Sequence, residues 1–369
     1  MVELYSGKLM PEQVVYTLSH GHHAFATRTI RRAGAVAPLP AAERQLCDLQ
    51  IRSHGQDYDL YDYVSRNRVA GLLIQDRGRV VHERYELGID ADTHWLSMSM
   101  AKSISATLVG VALRDGCIGG VDDMLVRYLP ELRGCAYDGV SVRQLLQMTS
   151  GARWDDGYTL PGSERRHMLD LQLAQMPGTI IHYMASLPRV ATPGTAWNYS
   201  TGETHVVGAL LRAATGSWPS DYLSERIWSR LGMQADAYWW LEAPDALEVA
   251  GSGICATLRD FARFGRFVLC GGRINDEQVL PEDWLAQASA PLWIDGRRTD
   301  YGYMWWPVPD AQGSLADGAF AARGIFGQFL YLNPRRQVQI NVLSARSKPR
   351  LAEVVADNDF FNAVVRALG

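Results

Sequence analysis

The chain contains very little lysine and little cysteine. Of its 36 basic residues only Lys8, Lys102 and Lys348 are lysines, and the others are arginines. The five cysteines are widely spaced without a Cys-x-x-Cys pair, so neither a disulfide framework nor a zinc knuckle is indicated. We therefore expect a reduced, cytoplasmic protein. A lysine retained inside such an arginine-rich chain indicates a site that needs an amine able to lose its proton, which a guanidinium group cannot do.

Long apolar runs and blocks of like charge are also missing. No stretch approaches the length of a transmembrane helix, and the first residues lack the basic and apolar regions of a secretory signal. The 36 basic residues are balanced by 40 acidic ones, and this net charge of -4 argues against nucleic acid as a partner. We expect a small-molecule substrate, no membrane partner, and a monomer or homodimer.

Motifs for metals and cofactors are absent as well. His20, His22 and His23 lie close together, but no His-Glu-x-x-His pattern or acidic partner accompanies them, so a surface loop is the better explanation. The sequence has no phosphate-binding loop, dinucleotide fingerprint or Gly-x-Ser-x-Gly elbow. We predict no metal and no cofactor.

Strand patterns occur at both ends of the chain. Short apolar or alternating runs at 69–74 and 80–85 predict a β-hairpin, and a second pair occurs at 329–332 and 338–343. Residues 351–368 then show helical apolar spacing. The simplest architecture is an α+β fold in which both chain ends build one antiparallel sheet flanked by helices.

The remaining regions complete the predicted organisation. Residues 1–65 are interpreted as an N-terminal extension, with a proline-containing loop at 35–40 followed by a helix. Residues 66–369 form the main domain, and a mostly helical lobe is inserted into it over about 100–250.

Ser99 and Lys102 form a Ser-x-x-Lys motif at the start of a helix predicted over 103–113. Positions i and i+3 share one face of a helix's first turn, which brings hydroxyl and amine within reach. A serine hydroxyl is a weak nucleophile until a base accepts its proton, and a desolvated lysine can be that base. The motif predicts Ser99 as nucleophile and Lys102 as proton acceptor, whereas an exposed helical turn with a solvated lysine is the structural alternative.

Several more segments, between about residues 68 and 368, occur in the same order as the motifs of a known protein family. They resemble the class C β-lactamase-like serine hydrolases, which include esterases and 6-aminohexanoate-dimer hydrolases. This resemblance implies a β-lactamase-like fold. The matching segments are 96–103, 123–132, 145–151, 193–202, 253–257, 301–306 and 324–328.

The resemblance implies that Tyr199 is the third catalytic group. It precedes a helix predicted over 204–214 and occupies the place of the family's second motif, a tyrosine that moves protons alongside the lysine. Because a tyrosine has an ordinary pKa near 10, we expect a cationic Lys102 beside it to make it a useful base.

The family's third motif implies the oxyanion-stabilising groups. It aligns with 322–325, so the two donors are expected to be the backbone N–H groups of Ser99 and Ile325. Aromatic residues are expected to shape the pocket, although core packing is an equal alternative for the tryptophan pairs 305–306 and 239–240. The residues expected to contact substrate are Tyr158, Gly324, Phe326 and Trp306.

Three positions depart from the family pattern. The strand lysine that binds the carboxylate of β-lactam substrates is Ala322 here, with Arg323 beside it. Thr201 replaces an asparagine, and Phe326 stands where 6-aminohexanoate-dimer hydrolases have a histidine. We therefore expect poor β-lactam recognition.

The resulting hypothesis is a serine hydrolase that cleaves small ester or amide bonds through an acyl-enzyme, as a carboxylesterase or a 6-aminohexanoate-oligomer-type amide hydrolase. Esters are favoured because alkoxide leaving groups need less protonation than amines. An acyltransferase would use the same residues with another acceptor than water. A β-lactamase or D-amino-acid peptidase, and a catalytically silent binding protein, are weaker alternatives.

Overall fold

A six-stranded and a four-stranded antiparallel sheet, three two-stranded sheets and the surrounding helices form the fold, which the computed structural model describes for all residues from 1 to 369. The strands are β1 (Thr27–Ile30), β2 (Ile51–Ser53), β3 (Gln56–Tyr58), β4 (Val69–Asp76), β5 (Arg79–Tyr85), β6 (Trp95–Leu96), β7 (Ala237–Trp240), β8 (Ile254–Ala256), β9 (Arg273–Ile274), β10 (Glu277–Gln278), β11 (Leu292–Ile294), β12 (Arg297–Thr299), β13 (Trp306–Pro307), β14 (Phe320–Gly324), β15 (Gln328–Asn333) and β16 (Val338–Ser344). The helices are α1 (Val2–Tyr5), α2 (Pro11–Ser19), α3 (Leu60–Arg66), α4 (Met100–Arg114), α5 (Val142–Leu146), α6 (Glu164–Ala174), α7 (Thr179–Ser186), α8 (Thr201–Thr215), α9 (Pro219–Arg226), α10 (Leu258–Leu269), α11 (Trp284–Ala288) and α12 (Asp357–Leu368).

The larger sheet joins the two ends of the chain. Its six strands follow the order β13-β14-β15-β16-β4-β5, and every neighbouring pair is antiparallel. Ile74 of β4 lies opposite Ile340 of β16, so an early strand pairs with a late one at the centre of the sheet. Both predicted hairpins, and the prediction that the chain ends share one sheet, are confirmed.

Alternating side chains give this sheet two buried faces. Leu73 and Leu330 belong to the core shared with α10, whereas the adjacent Ile74 and Tyr331 belong to the core shared with α12. Successive residues of a strand point to opposite faces, so a strand covered by helices on both sides is apolar throughout. The pattern of β4 and β15 follows from this two-sided cover.

Helices dominate the middle of the chain, as predicted. Helix α4 is buried along most of its length and packs against α8, which ends at Gly216 in a left-handed conformation with φ of 71°. Both helices agree with the predicted segments. No helix is long and apolar enough to cross a lipid bilayer.

The helix predicted after the proline-containing loop is absent, because a sheet edge uses the backbone of this segment. Ala42 and Leu46 donate their N–H groups to the carbonyls of Val80 and Val81 on β5, at 2.8 Å each. The segment thus covers the open edge of the large sheet. The division of the chain at residue 65 stays a prediction.

The C-terminal helix is shorter than its apolar spacing predicts, since α12 begins only at Asp357. The N–H groups of Val354 and Val355 donate to Asn67 Oδ1 at 2.8 and 3.1 Å, and Leu351 has a positive φ of 56°. Tertiary hydrogen bonds and a left-handed residue therefore exclude the segment before Asp357 from the helix.

Candidate active site

A sharp turn between β6 and α4 presents Ser99. Ser97 donates its N–H to Ile254 O at 2.7 Å, Met98 has a positive φ of 48°, and α4 begins at Met100. The Ser99 hydroxyl consequently lies at the N-terminus of a 15-residue helix. The positive end of the helix dipole there favours negative charge on this residue or on a group bound to it.

Lys102 lies directly beneath this hydroxyl. Its side-chain nitrogen is 2.9 Å from Ser99 Oγ and donates a hydrogen bond to Gly251 O at 2.9 Å. The residue is only 1% exposed. Burial lowers the pKa of Lys102 to about 7, against an opposing contribution from Asp156. A large fraction of the amine is therefore neutral near neutral pH, and a neutral amine can accept the serine proton.

Tyr199 closes a triangle with these two residues. Its ring centroid is 5.1 Å from Lys102 Nζ, and its phenol lies close enough to Ser99 for the serine hydroxyl to lower its pKa. Burial, followed by Tyr301, outweighs this effect and holds the pKa of Tyr199 well above its usual value.

The structure thus corrects the expected electrostatics of this triangle. From the sequence, a cationic Lys102 is expected to make Tyr199 a base. The same desolvation disfavours the ammonium form of Lys102 and the phenolate form of Tyr199, so Tyr199 is neutral and Lys102 is partly neutral near pH 7.

Strand β14 runs close to the turn that carries Ser99. A Cβ atom on Gly324 would lie 2.6 Å from the carbonyl oxygen of Ser97, so glycine is required for this close approach. Ile325 follows directly, and neither its N–H nor that of Ser99 donates to any protein acceptor. Both residues line one cavity, so two free donors are available on its walls.

This cavity has a volume of about 820 Å³ and opens from Ser99 towards solvent. Its walls combine aromatic rings with charged groups. The aromatic side chains are Trp154, Tyr158, Trp197, Tyr199, Trp306 and Phe329, and the charged ones are Asp155, Asp156, Arg323, Arg346, Arg350, Glu353 and Asp357.

A sequence profile described as Beta-lactamase matches residues 62–362, most of the chain. The chain belongs to the beta-lactamase family. Its relatives are hydrolases of the serine type, including amidases and esterases, and this protein is a hydrolase of the same kind.

Individual relatives agree with this membership. A 6-aminohexanoate-dimer hydrolase from Paenarthrobacter ureafaciens is 28% identical over 306 residues, which cover 79% of this chain and 76% of the relative. A solved structure from Bacillus anthracis, assigned provisionally to the same enzymes, superposes with a TM-score of 0.82 at 24% identity over 96% of this chain and 93% of its own. A family VIII carboxylesterase has a TM-score of 0.62 at 17% identity over 84% and 95% of the two chains. These structures confirm the predicted fold.

Some aromatic residues of this beta-lactamase family member line the cavity wall, whereas others are buried in the protein core. The Trp306 ring lines the cavity 5.6 Å from the ring of Tyr199, and Tyr158 lines it too. Trp305 is fully buried outside the cavity, as is the 239–240 pair. Phe326, expected to contact substrate, is also fully buried outside the cavity. Phe326 is therefore a core residue in this structure.

Most charged groups of the cavity neutralise one another. Arg350 lies 3.5 Å from Asp156, and Arg346 lies 2.5 Å from Asp357. Arg323 instead donates to Asn358 Oδ1 at 3.2 Å and packs over Trp306, without a carboxylate partner within ion-pairing distance. Sequence reasoning missed most of these charged residues because no motif marks them, and they meet only in three dimensions.

No cluster of three or more histidine, cysteine, aspartate or glutamate side chains is arranged to hold a metal ion. The neighbouring histidines near the N-terminus are part of an aromatic group. His22 stacks on Tyr238 at 5.2 Å and contacts His23 at 3.9 Å between ring centroids.

Proposed function

We propose that the protein cleaves small ester or amide bonds through an acyl-enzyme on Ser99. The observation that carries this proposal is the buried amine of Lys102, 2.9 Å from the serine hydroxyl and partly neutral near pH 7. A buried lysine without a carboxylate partner is costly for folding, so its presence supports a chemical role.

The first half-reaction transfers the acyl group to the enzyme. Ser99 Oγ attacks the carbonyl carbon while its proton passes to Lys102, and the carbonyl oxygen becomes an oxyanion. The N–H groups of Ser99 and Ile325 stabilise that oxyanion. The bond to the leaving group then breaks, and the leaving group receives a proton from the Lys102 ammonium.

Tyr199 relays this proton. A neutral phenol can donate its own proton to the leaving group and recover one from Lys102 in the same step. In the second half-reaction, water attacks the acyl carbon and gives up a proton along the same route. The acid is then released and the Ser99 hydroxyl is restored.

Esters are the first substrate class, because an alkoxide leaves with little protonation. Amides follow closely for two reasons. The neutral phenol of Tyr199 is the kind of proton donor that an amine leaving group needs, and the 28% identical relative is a 6-aminohexanoate-dimer hydrolase. Tyr158 is buried at the cavity wall and is proposed to contact the substrate there.

Covalent labelling tests the nucleophile. A fluorophosphonate probe should add one equivalent to the wild-type protein, and peptide mapping should place it on Ser99. Ser99→Ala should abolish the adduct, whereas Ser186→Ala, at an exposed helix end, should label normally. An adduct on another serine, or a labelled Ser99→Ala protein, would overturn the assignment.

A substrate panel tests the reaction class. We expect turnover of short p-nitrophenyl esters, weaker turnover of linear oligoamides, and little or no hydrolysis of nitrocefin, because Ala322 replaces the strand lysine. Product analysis with added alcohols or amines separates hydrolysis from acyl transfer. Exclusive formation of acylated acceptor, without free acid, would favour the acyltransferase.

A further inference from the structure

The N-terminal segment (residues 1–8) reaches the rear of the catalytic cavity. Tyr5, at the end of α1, is 2% exposed, and its ring stacks on the cavity residue Tyr158 at 5.8 Å. We infer that this segment is a working part of the active site, in which Tyr5 fixes the guanidinium of Arg165 where its positive charge favours the neutral form of the Lys102 amine. The inference rests on the proposed role of Lys102 as proton acceptor.

Arg165 is a buried cation without a counter-ion. Its side chain is 3% exposed and has no carboxylate within ion-pairing distance. Its Nη2 donates to the phenol oxygen of Tyr5 at 2.8 Å, and the guanidinium lies 4.6 Å from the centre of the Tyr5 ring. Burial of an unpaired charge is costly, so a function for that charge is expected.

Arg165 shares a cavity with the catalytic serine. A small cavity behind Ser99 is lined by Arg165, Tyr5, Ser99 and Ile325. It has no space for a water molecule, so no solvent screens the guanidinium from this side. A positive charge in such a place disfavours a second positive charge nearby, and the ammonium form of Lys102 is that second charge.

Three charged groups act on Lys102. Arg165 and Arg350 lower its pKa, and Asp156 raises it. Arg350 and Asp156 lie 3.5 Å apart, so the positive charge of Arg350 is paired with a carboxylate. The neutral groups in contact are the Ser99 hydroxyl, the carbonyl of Gly251 and the ring of Tyr199. Arg165, unlike Arg350, has no carboxylate within ion-pairing distance to offset its charge.

Two further contacts attach the N-terminal segment to the cavity walls. Arg166 donates to Ser6 Oγ at 2.9 Å, and Lys348 Nζ donates to Gly7 O at 2.6 Å. Arg166 follows Arg165 on α6, and Lys348 precedes the cavity residue Pro349. The segment therefore joins helix α6 to the loop that carries Pro349, which assigns a role to part of the region before residue 65.

The pH dependence of kcat/KM tests this inference. Only the neutral amine of Lys102 accepts the serine proton, so wild-type activity should fall below about pH 7. Arg165→Gln removes a charge that lowers the pKa of Lys102, so the acidic limb should move to higher pH by about 0.5 to 1 unit. Arg165→Lys should retain most of the wild-type profile, since the charge remains.

Tyr5→Phe provides a milder perturbation. It removes the oxygen that accepts from Arg165 but keeps the ring, so the acidic limb should shift in the same direction by a smaller amount. Matched controls are Tyr16→Phe and Arg133→Gln, at exposed positions outside the cavity, and both should show the wild-type profile.

The possible results distinguish a failure of this inference from a failure of the proposed function. A uniform loss of kcat/KM in Arg165→Gln, with an unmoved acidic limb, would show a merely structural role and overturn this inference. An Arg165→Lys variant shifted as far as Arg165→Gln would overturn it too. If instead Lys102→Ala keeps wild-type turnover and profile, the proposed function itself fails, whatever Arg165 does.

Discussion

The back and the mouth of the catalytic cavity differ in how firmly they are held. At the back, Ser99 and Lys102 are at most 8% exposed, and the first turn of α4 and a backbone carbonyl fix their positions. At the mouth, the Arg350 side chain is 57% exposed and Leu351 is 93% exposed, on the irregular segment between β16 and α12. From this comparison we expect reactivity to depend on the buried back of the cavity and substrate preference on its exposed mouth.

Among substitutions at residues other than Ser99, replacement of Lys102 should reduce kcat/KM the most. Lys102→Arg keeps the positive charge but forbids deprotonation, so kcat/KM for a p-nitrophenyl ester should fall on the order of 10³-fold or more. Arg133→Lys, at an exposed position outside the cavity, is the control and should leave the rate unchanged. A Lys102→Arg enzyme with near wild-type activity would show that reactivity does not depend on the back of the cavity more than on its mouth.

Tyr199→Phe should follow, with a loss on the order of 10²- to 10³-fold in kcat, because the proton relay is broken while the ring packing stays. The loss should be greater for amides than for esters, since amines need the proton more. Tyr61→Phe is the control, at a tyrosine that is 65% exposed. Equal losses for both substrate classes would contradict the proton-relay role.

Gly324→Ala should disturb the back of the cavity by displacing strand β14. The added Cβ would lie 2.6 Å from Ser97 O, so β14 must move away and carry the N–H of Ile325 with it. We expect kcat to fall about 10- to 100-fold, as for loss of one oxyanion donor. Gly120→Ala, where a Cβ meets nothing within 4 Å, is the matched control. Wild-type kcat in a folded Gly324→Ala protein would remove Ile325 from the mechanism.

A substitution in the aromatic wall of the cavity should have the smallest effect. Trp306→Ala removes a ring next to Tyr199 from the cavity wall, and we expect KM to rise up to about tenfold with a smaller change in kcat. Trp293→Ala, at a tryptophan that is 62% exposed and outside the cavity, is the control. A fall in kcat as large as that of Tyr199→Phe would place Trp306 with the back of the cavity.

The sequence predicted the fold where patterns are local and strong. The hairpins at both chain ends and the helix after Ser99 are such cases. The helix expected after the proline-containing loop was wrong because the edge strand β5 takes up the backbone donors of that segment. Likewise Asn67, nearly 290 residues earlier, binds the backbone before α12, and no local pattern reports such a contact.

The candidate site was predicted only as far as its motifs extend. Ser99 and Lys102 follow from one spacing, and Tyr199 from a resemblance, and the structure brings the three together. The neutral state of Tyr199 could not be derived, because a pKa depends on burial that the sequence does not give. Tyr5 and Arg165 carry no motif, and they meet across about 160 residues of chain.

The central pairing of β4 with β16 has a consequence for biosynthesis. While the ribosome is still adding the last strands, β4 lacks its neighbour and the wall that holds Ile325 does not yet exist. A nascent chain therefore carries its serine long before it can hydrolyse anything. We therefore expect activity only after the C-terminal strands have emerged and completed the sheet.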